Sequence, residues 1–194
     1  MGHWHTRRVE RWDLIAAERR ALADLLETFT DEQWATLTLC EAWTVKDMAA
    51  HVTLGPTVTM PEFARAMVLG RFSFNRASER MTATRSRRTR EQLVADLREH
   101  AESRFTPPTL DWHAPLSEVL IHREDIVIPL GLPSDRPVET WRHSLDFLVT
   151  APARRAFVKG RLPAVRVGRT IRIPRQAIEI FIANEAGLGE VRSA

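Results

Sequence analysis

Apolar residues recur three and four positions apart through most of the first 150 residues, the spacing of one face of an α-helix. Trp12, Ile15, Leu22, Leu25, Leu26 and Phe29 predict a first helix over 9–29, and Thr30-Asp31 stops it. Thr44 followed by Asp47 has the form of a capping box, so a second helix should start at Val45 and end at Gly55-Pro56. Met60, Phe63, Met67, Gly70, Phe74, Ala77 and Met81 form a heptad-like seam and predict one long third helix. Thr89 with Gln92 marks another helix start, with apolar support to about Arg104. After Pro107-Pro108, Leu116 to Asp125 reads as a helix apolar on most sides, and 138–150 as a further short helix. No strand alternation precedes residue 150, so the predicted class is all-α, most simply an up-down bundle of four principal helices.

The helix that is apolar nearly all round carries ionisable groups. Glu118 and His122 are four residues apart and share a face, and Asp125 continues that stripe. Acidic and imidazole side chains in a core must be paired or bind something, because an unpaired buried charge is costly. Glu-x-x-x-His offers one carboxylate oxygen and one ring nitrogen, two thirds of a three-ligand zinc site with an open position. The same spacing is also an ordinary side-chain contact. His51, one turn into the core-facing surface beside Met48, is the third candidate. By itself it reads more often as a satisfied core histidine.

Composition narrows the class. The chain has 194 residues, 44% hydrophobic and 27% charged, as in a soluble globular protein with one principal core. No apolar run is long enough for a membrane span, and the first residues lack the apolar region of a secretory signal. The single cysteine, Cys40, excludes an internal disulfide framework and fits a reducing cytoplasm. No helix start or cationic partner follows Cys40 directly, so it is expected to pack as a small apolar residue rather than act as a nucleophile. Arginines in Thr84 to Arg90, TRSRRTR, suit either a solvated connection or a contact for an anionic ligand. The net charge of +3 is uneven: residues 151–194 hold nine basic and three acidic residues, which sets a basic tail apart from a bundle over 1–150.

Two segments carry a resemblance. CEAWTVKDMAAHV at Cys40–Val52 and LSEVLIHREDIVIPLGLP at Leu116–Pro133 resemble the signature blocks of the mycothiol-dependent maleylpyruvate isomerase family, of the DinB-like metal-binding four-helix bundles. The resemblance covers roughly residues 10–150 and rests on both blocks occurring in order. It implies a divalent metal, usually zinc, held by His51, Glu118 and His122. It implies mycothiol as the external thiol that becomes a nucleophile at that metal, for isomerisation or thiol transfer on a small-molecule substrate. Asp47 and Asp125 are expected to orient the imidazoles, with salt bridges to nearby arginines as their plainer role. Two departures stand out. Ala42 occupies a position where the family often has glycine, a tolerable change. Full-length members continue into a mixed α/β second domain, a pattern that Ala151–Ala194 does not follow.

Within the tail, residues 159–183 resemble the last third of an excisionase-type winged helix. Val165, Val167, Ile171 and Ile173 alternate with basic residues around Gly168-Arg169-Thr170, as in a β-hairpin, and a helix should close it over 175–183. Arg166, Arg169, Arg172 and Arg175 could meet phosphates of nucleic acid or another anion. No helix-turn-helix precedes this wing. Beside the metal-dependent enzyme stand two alternatives: a non-catalytic regulator whose tail touches DNA, and an inactive truncated family member. The oligomeric state is not legible in the sequence.

Overall fold

The computed structural model describes residues 2–40, 42–108, 110–150, 165–167 and 170–172. It is helical, with two compact units, Met1–Asp135 and Arg136–Ala194. Among its described residues the first unit holds seven helices: α1 (Gly2–Glu27), α2 (Asp31–Ala35), α3 (Val45–Thr57), α4 (Met60–Leu69), α5 (Phe74–Arg85), α6 (Arg90–Glu99) and α7 (His113–Val127). α1 packs on α6 and α7, and α3 packs on the same two, so these four close into a ring around one core. Leu22 and Leu26 of α1, Met48 and Val52 of α3, Leu97 of α6 and Val119 of α7 meet inside it. These are the positions that the helical spacing marks as apolar, and burying each removes a full side chain from water, worth about 1.5–3 kcal/mol.

Threonine caps start the helices. Thr30 with Gln33, Thr44 with Asp47, Thr59 with Glu62 and Thr89 with Gln92 are all complete capping boxes. Each satisfies two backbone groups that a helix start leaves orphaned.

Several predicted boundaries move, and α1 starts at Gly2 rather than Val9. The long third helix is two helices: Arg71 and Phe72 adopt left-handed φ values of 54° and 59° and fold α5 back against α4. Gly70 is required there, because a Cβ would stand 2.8 Å from the Ala77 nitrogen. The helix before Pro107 ends at Glu99 rather than near Arg104. Pro56 does not end α3 but sits in its last turn.

The basic loop is structural. Arg88 Nη2 lies 2.9 Å and Arg85 Nη1 3.6 Å from the buried Asp96 carboxylate, and Arg90 pairs with Asp31. These arginines tie α5 and the loop to α6, and α6 to α2.

In the second unit, α8 (Val138–Thr150) is the short helix expected there. Two three-residue strands, β1 (Val165–Val167) and β2 (Thr170–Arg172), pair antiparallel with Val165 opposite Arg172. Arg169, Arg175 and the closing helix over 175–183 lie outside the described residues. Among the described residues, no helix is long and apolar enough to cross a membrane.

Candidate metal centre

α3 and α7 run side by side and bring His51 against both His122 and Glu118. The His51 and His122 rings meet edge to face, with centroids 4.8 Å apart. His51 Nε2 faces Glu118 Oε1 across 4.0 Å, too long for a hydrogen bond. The close passage of the two helices depends on Gly55, one turn after His51. A Cβ at that position would lie 2.7 Å from Glu118 Oε2.

The outer nitrogens of both rings are held. Asp125 Oδ2 lies 2.8 Å from His122 Nδ1. The carboxylate accepts the Nδ1 proton and leaves the Nε2 lone pair free, the arrangement common behind metal-bound histidines. Around His51 the expectation is modified. Asp47 accepts from the Thr44 backbone N–H and hydroxyl at 3.0 and 2.6 Å and so serves the start of α3. The hydroxyls of Thr82 and Ser78, both on α5, lie 3.1 and 3.4 Å from His51 Nδ1 instead. Asp47 is thereby held below the usual carboxylate range: burial raises its pKa, and the Thr44 hydrogen bonds more than offset that. The Trp43 ring, 4.9 Å away, packs against His51.

Burial dominates the electrostatics. It lowers the His51 pKa to about 3, with the His122 charge adding to the effect, so at neutral pH His51 is an uncharged ring with a lone pair to give. Burial also pushes the Glu118 carboxyl up, opposed by the charges of His122 and Arg19.

Arg19 was not among the residues singled out from the sequence. It sits on α1, only 1% exposed, and its Nη1 donates to the carbonyls of Ala101 and Ser103 at 2.9 and 2.8 Å. A signal existed. Ile15, Glu18, Arg19, Leu22 and Leu26 share one helical stripe, so two charges fall on the core face of α1.

A second donor group shares His122. Among the described residues, Cys40, His122 and Asp125 are the three whose ligand atoms all lie within 4.8 Å of one another. Protons already link them. Cys40 Sγ donates to Asp125 Oδ2 at 3.5 Å, and the same oxygen receives His122 Nδ1. The Leu39 N–H also bonds the Asp125 carbonyl at 3.1 Å, which fixes this loop on α7. Burial and the Asp125 charge push the Cys40 thiol up to about 12, so it stays protonated and packs half-buried against the core.

A cavity of about 230 Å³ opens beside the first group and not the second. His51, Glu118 and His122 line it, while Cys40 and Asp125 do not. Its remaining wall is apolar, built largely by Phe63, Phe74, Met81 and Phe105.

One family model matches the chain over residues 15–148: the mycothiol maleylpyruvate isomerase N-terminal domain. No curated protein and no solved structure matches it.

Proposed function

Because the chain belongs to the mycothiol maleylpyruvate isomerase N-terminal domain family, we propose that it is a metal-dependent enzyme that uses an external thiol, mycothiol in the family's manner. His51, Glu118 and His122 are its metal ligands, and the ring of α1, α3, α6 and α7 is the DinB-like bundle that presents them. The observation that carries this reading is the cavity, which reaches both imidazoles and the carboxylate at once.

The donor set fits a divalent ion such as zinc. Two imidazoles and one carboxylate make a three-ligand site with a fourth position left for a substrate. His51 Nε2 and Glu118 Oε1, 4.0 Å apart, lie within the about 4.2 Å that two donors each about 2.1 Å from one ion can span, and a side-chain shift would complete the set, since the ligand atoms of His51, Glu118 and His122 are not all within 4.8 Å of one another. A divalent metal bound there supplies the positive charge that keeps a thiol deprotonated near neutral pH.

The protein's own groups do the rest. Asp125 fixes the His122 tautomer and adds negative charge behind that ring. Thr82 and Ser78 hold the His51 ring so that Nε2 faces Glu118. Arg19 favours the ionised form of Glu118 from behind. The phenylalanines of the wall exclude water from the reacting atoms.

Elemental analysis of the purified protein tests the ligand set. About one divalent ion per chain is expected. His51→Ala should lose it while circular dichroism keeps the helical signal, and Cys40→Ala should retain it. Retention in His51→Ala with loss in Cys40→Ala would move the site to the Cys40 side of His122. Thiol-dependent turnover then follows on the metal-loaded protein.

A second reading, duplex DNA binding through 159–183, has the antiparallel pairing of β1 and β2 in its favour. It predicts salt-sensitive binding that disappears on deletion of 161–194.

A further inference from the structure

We propose that the cavity beside the three ligands takes an uncharged, mainly apolar molecule of single-ring size, and not a dicarboxylate. This rests on the metal-site reading and adds the chemical class of the substrate.

The walls carry the argument. Leu54, Phe63, Phe74, Met81, Phe105 and Leu110 surround the space. Phe63 lies between Phe74 and Phe105, with ring centroids 6.4 and 6.1 Å away, so the aromatic wall is continuous. Among the described residues, no arginine or lysine lines the cavity, and its ionisable groups are His51, Glu118 and His122 alone.

Nearby cations lie outside the cavity wall. Arg19 donates to the Ala101 and Ser103 carbonyls, and Arg85 lies against Asp96. A divalent ion would be balanced by Glu118 and a thiolate, and Arg19, whose charge acts on Glu118, does not line the cavity. A dianion entering this space would lose its water with nothing to replace it, and an unpaired charge in an apolar site is expelled or neutralised.

Size sets the other limit. A dry apolar cavity of about 150 Å³ is enough for benzene. About 230 Å³ therefore accommodates a substituted single ring or a branched chain of similar bulk.

The matched pair benzamide and benzoate separates charge from shape. Saturation-transfer NMR on the full-length, metal-loaded protein with excess 2-mercaptoethanol, whose uncharged thiol supplies the thiolate for the open metal position, should show benzamide binding at least about tenfold more tightly than benzoate. Maleate should not displace it. Phe74→Arg, at a half-exposed position that tolerates the change, should bring benzoate level with benzamide or ahead of it. Ala114→Phe should fill the space and remove benzamide binding. Benzoate or maleate binding as tightly as benzamide in the unaltered chain overturns the proposal, as does no binding of benzamide. Metal content, measured on the same samples, keeps the two readings apart. A chain that prefers benzamide but holds no metal upholds the apolar site and sinks the metal centre. A metal-loaded chain that prefers benzoate does the reverse.

Discussion

Asp96 and Glu118 are both carboxylates drawn into the helical unit, and their surroundings differ in kind. Asp96 lies between two guanidinium groups, Arg88 at 2.9 Å and Arg85 at 3.6 Å. Its charge is matched by partners that the fold itself provides. Glu118 faces the ring nitrogen of a neutral histidine across 4.0 Å, beside an open cavity. Arg19 acts on it only electrostatically, while Nη1 of that guanidinium is bonded to carbonyls. The first arrangement is an ion pair closed by the protein's own cations, although Asp96 Oδ2 and Arg88 Nε make no hydrogen bond. The second sets ring nitrogens beside a carboxylate on the wall of a cavity, the arrangement that the proposed ligand set would use. A buried charge is therefore informative chiefly through the partners that the fold sets against it.

Asp96→Ala makes the largest break in this comparison. It should cost roughly 3 kcal/mol, the low end for a broken buried pair because Arg88 is 40% exposed and can rehydrate. Urea unfolding would read this, and metal content should not change. Asp125→Asn attacks the other side. Metal affinity should fall about 10- to 100-fold by competition with a chromophoric chelator, with little loss of global stability. Gly55→Ala should lower affinity by about tenfold, since its Cβ displaces Glu118, while alanine's helix preference leaves thermal stability level or slightly raised. An unchanged affinity would remove Glu118 from the ligand set. Smallest is Ala42→Gly. Ala42 holds φ at 71°, in the left-handed region, so glycine should stabilise the fold by about 1 kcal/mol without touching metal binding.

That last residue shows how far the sequence could be read. A glycine-to-alanine departure from the family pattern is visible in the chain, but the strain at Ala42 needs the backbone angle. Helix starts were legible because a threonine cap with a polar partner three residues on is a local event, and Thr44 and Thr89 both behave so. The meeting of His51 with Glu118 and His122 was legible only through two motifs in order, since nothing local links residues 67 positions apart. Arg19, Thr82 and Ser78 were missed for the same reason. Their roles arise where one helix lies across another, and a hydroxyl on α5 looks in sequence like any surface serine or threonine. The break at Arg71-Phe72 was hidden too, because a heptad-like seam continues through it without a stop signal stronger than one glycine.

That break has a geometric consequence. On one straight helix, Phe63 and Phe74 would be about 16 Å apart along the axis. With the chain reversed between them, their ring centroids are 6.4 Å apart. Two residues with left-handed backbone thus turn a rod into a pincer, and the gauge of the pincer sets the thickness of what can enter the cavity between its arms.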